Sequence, residues 1–346
     1  MTNDQRPTTL VIQTAFLGDV VLTTPLLATL AAAHGPVDVV TTPAAASLLA
    51  THPAVRTVVP YDKRGADRGL GGLRRMVARL RGGDYARAYL PHRSWRSATL
   101  ALLARIPERV GFADAPAAIT YTRRVTRPRS GHETDRLLQL AWEVAGRAEA
   151  PGVSLALTEA DRAVAANWLR SAGIDGRFVA LAPGSIWGTK RWPGYPELAR
   201  RLDLPVVVVG GPEDAAVAQA IAAAAPGRVR SAAGVLPLRG SAALIERAAV
   251  LVTNDSAPLH LATAVRTPIV AVFGPTVPEF GFGPIGPDDH VLGVTGLPCR
   301  PCSAHGPQVC PLGHHRCMRE LDAGAVLAAV RAIIHGEERS ALRARD

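Results

Sequence analysis

Aromatic residues make up only 5% of this chain, and of its 39 basic residues just two, Lys63 and Lys190, are lysines. So few aromatics leave little to stack bases on, which argues against a single-stranded nucleic-acid binder. Four cysteines in 346 residues are too few for a disulfide scaffold. No apolar run is expected to approach the ~20 residues that span a bilayer. The opening Met-Thr-Asn-Asp-Gln-Arg-Pro has no apolar signal core and leads straight into a strand-like run. A soluble, cytoplasmic protein is the expectation.

Three nucleotide motifs are also missing. The turn after the first strand holds Gly18 but no Gly-x-Gly-x-x-Gly, so the dinucleotide fingerprint is absent. Gly184-Ser-Ile-Trp-Gly188-Thr-Lys190 resembles a phosphate loop only superficially. Its glycines stand one residue too close, Thr189 separates Gly188 from the lysine, and Arg191 occupies the Ser/Thr position. No Asp-x-Asp is present to anchor a metal-bound diphosphate.

What is present is a globular composition, 48% hydrophobic and 20% charged, in a length that suggests two domains at roughly 150 residues each. The net charge of +10 is uneven. Arg56 to Arg129 carries 17 basic and 5 acidic residues, a local +12, and the remainder sums to −2. Such a field attracts nucleic acid, anionic lipid or a phosphorylated substrate, although a solvated arginine-rich surface accounts for it equally well. Where lysine is this rare, its type at a given position carries information.

Short apolar runs alternate with helical patterns. Strands are predicted at Thr9–Gln13, Val37–Thr41, Val55–Pro60 and Tyr85–Leu90, with helices at about Val20–Ala33, Leu73–Arg81, Trp95–Arg105 and Glu133–Gly146. A boundary is expected between Arg147 and Ala172, where a Pro-Gly turn precedes a short strand and a polar helix. The pattern then restarts with Phe178–Ala182, Val206–Val209, Val250–Thr253 and Ile269–Phe273. Each of these ends in a polar or Gly/Pro loop. In a parallel sheet such loops collect at the carboxyl edge, where ligands bind. The expected division is residues 1–160, residues 161–335 with a cysteine-rich loop at 299–317, and a polar tail at 336–346.

Two loops offer chemistry. In Phe16-Leu-Gly-Asp-Val20, Asp19 reads either as a plain helix cap or as a carboxylate held at a strand end for general-base work. Asn254-Asp-Ser-Ala-Pro-Leu-His260 opens a helix whose first N–H groups suit phosphate, with Pro258 in the first turn; capping by Asp255 or Ser256 is the simpler reading.

Taken together these residues resemble glycosyltransferase family 9, the ADP-heptose:lipopolysaccharide heptosyltransferases, and within it the heptosyltransferase II branch. The matching segments are Leu17-Gly-Asp-Val20 with Thr24-Pro-Leu26, Asp84-Tyr-Ala-Arg-Ala-Tyr89 and Ile106-Pro-Glu-Arg-Val-Gly-Phe112. Ala182-Pro-Gly-Ser185, Lys190-Arg-Trp-Pro193, Gly210-Gly-Pro-Glu213, Thr253-Asn-Asp-Ser256 with His260, and Phe273-Gly-Pro-Thr276 continue them. None is diagnostic alone; their order over about 300 residues is what carries the likeness.

The resemblance implies an α/β GT-B fold, two Rossmann-like domains with parallel sheets facing across a cleft. Acceptor would bind the first domain and nucleotide-sugar the second, with inverting, metal-independent transfer. Asp19 matches the family's proposed base. Ser185 and Lys190 match residues on the donor diphosphate, and Glu213 matches the contact to the adenosine ribose. Asp255, Ser256 and Ala257 match the phosphate-side loop, with His260 on the same helix. With no metal, Lys190 and backbone N–H groups must offset the charge of the departing ADP. The implied acceptor is an anionic lipid A–core saccharide. Arg93, Arg96, Arg123 and Arg124 lie in segments that could line its site, and the basic half could attach peripherally to the inner membrane surface.

Cys299-x2-Cys302-x7-Cys310-x6-Cys317 packs all four cysteines into 19 residues. In a cytoplasmic enzyme such spacing favours metal, and four thiolates suit tetrahedral zinc or iron. Reduced structural thiols and two local disulfides are the alternatives; His305, His314 and His315 are further candidate ligands. The autotransporter heptosyltransferases, related by family, carry a four-cysteine iron motif, so the resemblance implies metal too. Such a metal would be structural, and no cofactor is expected for catalysis. The rival readings are a family 9 enzyme with another nucleotide-sugar or glycan acceptor, and a basic nucleic-acid-binding module. Low aromatic content and the lack of a known binding motif weigh against the second, and the presence of both Asp19 and Lys190 weighs against an inactive homologue.

Overall fold

The structure, a computed structural model, describes residues 8–146 and 151–343, the last seven of these by backbone alone. The N-terminal Met1–Pro7 segment and residues 147–150 lie outside it. The chain forms two compact units, Met1–Ala156 and Leu157–Asp346.

The first unit is built on six parallel strands: β1 (Thr8–Ile12), β2 (Val37–Thr41), β3 (Val55–Pro60), β4 (Tyr85–Leu90), β5 (Glu108–Phe112) and β6 (Arg123–Val125). Their order is β3-β2-β1-β4-β5-β6. Side chains alternate across a strand, and β1 feeds two cores in this way. Leu10 and Ile12 pack with Val40, Leu80 and Leu100 on one face. Val11 packs with Val20, Leu30 and Leu137 on the other. Burial on both faces explains why the central strands read as continuous apolar runs.

The stretch Leu17–His34 corrects one expectation. Its 18 residues, at mean hydropathy 1.3, are by length and composition apolar enough to cross a membrane. Over half of it, 56%, is buried inside the fold. It is also two helices, Leu17–Leu22 and Thr24–His34, rather than the single one expected. Thr23 separates them and Pro25, which has no N–H to donate, stands in the first turn of the second.

The second unit repeats the plan with β7 (Val179–Ala182), β8 (Val206–Val208), β9 (Val229–Ser231), β10 (Val250–Asn254), β11 (Ile269–Val272) and β12 (His290–Leu292). All pair in parallel, in the order β12-β11-β10-β7-β8-β9. Val179, Leu181, Val250 and Val252 share a core with Leu198, Ile221 and Val330.

Two further expectations change. Residues 151–158 form no strand before helix Glu159–Ser171. The 336–346 tail continues helix Ala323–Arg343 as far as its described end. In each sheet the chain order reverses between two neighbouring central strands, β1 and β4 in the first, β7 and β10 in the second. Loops leaving such a pair diverge and open a crevice at the carboxyl edge.

Candidate active site

In the second unit the loops after β7 and β10 meet at that switch point. Asn254, the last residue of β10, ties them together. Its Nδ2 donates to Pro183 O (2.8 Å), and its Oδ1 accepts from the Trp192 N–H (3.3 Å) and the Tyr195 hydroxyl (3.2 Å). Lys190 closes a short 3-10 turn, Gly188–Lys190, and its Nζ donates to Asp255 Oδ2 at 2.5 Å. Thr276 Oγ1 donates to the same oxygen at 2.6 Å. The carboxylate is thus spent on Lys190 and Thr276. Ser256, the N-cap of helix Ala257–Val265, makes no side-chain cap bond. The capping reading of this loop is therefore not realised, and among the described residues no side chain is seen to cap the helix's first N–H groups, Ala257 among them.

Ser185 Oγ accepts the Trp187 N–H at 3.2 Å, so it braces its own loop. His260 is buried on the helix, edge-on to Phe282. Glu213 is exposed on the turn after β8. Its neighbour Asp214 is buried and accepts the Gly211 N–H at 3.1 Å. Burial, with the nearby Glu213 charge, lifts the Asp214 carboxyl above the ordinary aspartate range. A Cβ at Gly184 would lie 2.3 Å from Asp214 Oδ1, and one at Gly210 would lie 2.5 Å from Oδ2. That carboxylate packs closely against both glycines. The sequence flagged the loop but not Asp214's place in it.

In the first unit Asp19 follows β1, in the third position of its helix, and its Oδ2 accepts the Phe16 N–H at 3.1 Å. It does cap, yet it stays partly open to solvent. Desolvation, then the nearby Glu133 charge, raises its carboxyl to about 6, outweighing the Phe16 bond that lowers it. Glu133 is held in turn by Arg127 (2.5 Å) and the buried Arg136 (3.2 Å). Sequence reasoning missed all three, because nothing local marks a carboxylate as the neighbour of another one far along the chain.

Beside them at the carboxyl edge lies Lys63, whose Nζ donates to Thr14 O at 2.6 Å. Thr14 Oγ1 contacts His92 Nδ1 at 3.3 Å. Burial and the Lys63 charge lower His92 to about 4, so its ring is neutral at pH 7. Arg96 donates to Lys63 O (3.2 Å) and lies over Tyr61, and Arg93 pairs with Asp114 at 3.3 Å. Arg123 and Arg124 are placed differently, on β6. Arg123 bridges Glu108 and Glu143, and Arg124 donates to Ala118 O. The structure brings Arg93 and Arg96 to the strand ends where Asp19 sits and commits Arg123 to an ion-pair network elsewhere.

The four-thiolate site expected at residues 299–317 is not formed. Among the described residues no group of three or more His, Cys, Asp or Glu is arranged to hold a metal ion. Cys302 is exposed, Cys299 and Cys310 partly so, and Cys317 is buried. Cys302 Sγ donates to Cys299 O at 3.3 Å. The sulfurs still lie close enough that burial and the other three cysteines push the Cys317 thiol up to about 11. They stand as neighbouring thiols.

Two parallel Rossmann-like sheets with ligand loops at their switch points define a GT-B fold. Residues 73–310 match the sequence model of glycosyltransferase family 9 (heptosyltransferase), and the chain belongs to that family. It is similar to lipopolysaccharide heptosyltransferase 2 of Escherichia coli (strain K12), 28% identical over 78% of this chain and 84% of that protein. The solved E. coli ADP-heptose LPS heptosyltransferase II superposes with a TM-score of 0.78 at 25% identity, covering 96% of this chain and 99% of that one. E. coli heptosyltransferase WaaC with ADP gives 0.69 at 22% identity, covering 94% and 99%. The protein is a glycosyltransferase, and the nucleic-acid-module reading is set aside.

Proposed function

We propose that this enzyme transfers a heptose from an ADP-heptose-like donor to a lipopolysaccharide core-type acceptor, with inversion and without a catalytic metal. The observation that carries the reading is the Lys190–Asp255–Thr276 cluster beside an uncapped helix start at the switch point of the second sheet. Relatives named for ADP-heptose and lipopolysaccharide support the substrates. Residues 161–335 hold the donor, with Ser185, Lys190, Asp255, Ser256, Ala257 and His260 around the diphosphate and Glu213 on the ribose. Residues 1–160 hold the acceptor, through Arg93 and Arg96 together with Lys63. A cytoplasmic enzyme working at the inner membrane surface fits that acceptor, and its basic half would meet anionic lipid there.

Asp19 takes the proton of the acceptor hydroxyl. The freed oxygen attacks the anomeric carbon from the face opposite the diphosphate, the bond to ADP breaks, and ADP leaves with the electron pair. Lys190 and the helix N–H groups offset its growing charge. A base with a value near 6 is ionised at neutral pH yet more basic than an exposed carboxylate. Mass spectrometry of products from a panel of ADP-sugars and UDP-sugars with deacylated core acceptors tests the reading. ADP-heptose-dependent mass gain on a core saccharide is expected; transfer only from another nucleotide-sugar would overturn the donor assignment.

A further inference from the structure

Among the described residues the cysteine-rich segment shows no metal geometry, but Pro307, Gln308 and His315 in it bond the loop that carries Lys190. Gly188 N–H donates to Gln308 Oε1 (3.1 Å), and Gln308 Nε2 donates to Ile186 O (2.9 Å), so one side chain spans the turn. Thr189 donates to Pro307 O from both its N–H (3.3 Å) and its hydroxyl (2.5 Å). His315 Nε2 donates to Thr189 O at 2.8 Å. The His305 ring stacks on Trp187 at 6.0 Å. A Cβ at Gly188 would lie 2.3 Å from Gln308 O, so the two backbones touch. The same segment reaches the loop of Thr276, the hydroxyl that bonds Asp255. Cys302 N–H donates to Pro275 O (2.8 Å), and Arg300 donates to Thr276 O (3.1 Å).

The bonds the 185–191 loop makes to itself are all local, spanning six residues or fewer. Its internal bonds are the Lys190 N–H to Trp187 O, the Arg191 N–H to Gly188 O, the Trp187 N–H to Ser185 Oγ, and Arg191 Nε to Ser185 O. A loop of this kind presents an ammonium reproducibly only if another element fixes it. We propose that residues 299–315 are a clamp on the donor loops, with Gln308 and His315 as positioning residues that set the Lys190 ammonium for the donor's diphosphate. The clamp acts through Lys190 and touches no reacting atom. It rests on the reading that Lys190 binds the donor.

The test compares Gln308→Leu, His315→Phe, their double variant and His315→Gln, each assayed for ADP affinity by calorimetry and for donor and acceptor KM. Lost single hydrogen bonds cost roughly two- to tenfold each, so the double variant, which removes three, should lose at least about eightfold in ADP affinity and donor KM. Acceptor KM should stay within about twofold. A glutamine amide can reach the position of the imidazole Nε2, so His315→Gln should recover most of the loss. His315 sits at a φ of +49°, a conformation that both replacements must share, so their difference isolates the hydrogen bond from backbone strain. Unchanged donor affinity, equal losses on both substrates, or His315→Gln no better than His315→Phe would each overturn the clamp. Lys190→Ala run in parallel separates the two claims. If it leaves ADP affinity intact, the donor-site reading itself fails and the clamp falls with it; if it weakens ADP while the clamp variants do not, only the clamp fails.

Discussion

Lys190 and Asp255, 65 residues apart in the chain, meet as a buried ion pair at 2.5 Å, each side chain about nine-tenths covered. Lys190 is therefore not a bare cation waiting for diphosphate. Its charge is already partnered, and the donor must be received by the pair together with the helix N–H groups beside it. Removing the lysine strands a buried carboxylate, which typically costs about 3–5 kcal/mol. Lys190→Ala should lower both Tm and donor affinity. Adding Asp255→Asn should restore much of the Tm without restoring ADP binding. A Lys190→Ala protein with wild-type Tm would show that the pair contributes nothing to the fold. Lys190→Arg should not restore full activity, because a planar fork does not fit a pocket shaped around an ammonium.

The pH profile follows from Asp19. With its carboxyl at about 6, kcat/KM should fall roughly tenfold per pH unit below that value as the base is protonated. Glu133 contributes to the raised value, and Arg127 and Arg136 hold Glu133 in place. Glu133→Gln removes the repelling charge, so the acidic limb should move to lower pH. An unmoved limb would mean that desolvation alone sets the value.

Stability carries the same signature with a defined sign. The folded chain holds the Asp19 proton more tightly than the unfolded chain does, so the stability it confers is complete below about pH 4 and is lost as pH rises through about 6. Ionisation then opposes folding by about 3 kcal/mol at neutral pH. Asp19→Asn, which can still accept the Phe16 N–H, should raise Tm at pH 8 and leave it nearly unchanged at pH 4. Thermal melts across that range check this; a Tm gain that does not depend on pH would contradict it.

Salt dependence tests the basic half. Screening cuts electrostatic reach to ~8 Å at physiological ionic strength. The +12 segment lies wholly in the first unit. Added salt should thus raise acceptor KM more than donor KM in steady-state assays. Equal effects on both substrates would remove the acceptor-side role of Arg93, Arg96 and Lys63.

The central strands were legible because strands buried on both faces, such as Val179–Ala182 and Ile269–Val272, read as unbroken apolar runs. β6, Arg-Arg-Val, and β9, Val-Arg-Ser, were not, since short edge strands carry polar residues and declare themselves only by pairing. β5 was hidden by Glu108 and Arg109 at its start; Glu108 is spent on Arg87 and Arg123 from neighbouring strands. Asp19 and Lys190 stood out as residue types in loops after strands. Asp255 stood out only as a cap or phosphate-loop residue, and its pairing with Lys190, like the parts of Glu133 and Thr276, comes from the packed fold. The cysteines show the reverse: spacing suited to a metal, in a segment whose visible bonds go to its neighbours' backbones.

The most direct test of the account is kcat for Asp19→Asn at saturating donor and acceptor. General-base removal typically costs about 10²–10⁴-fold. The account predicts a fall of at least the lower figure, with ADP affinity unchanged. A kcat within a few-fold of wild type would leave Asp19 as the cap of its helix and contradict its role as the base.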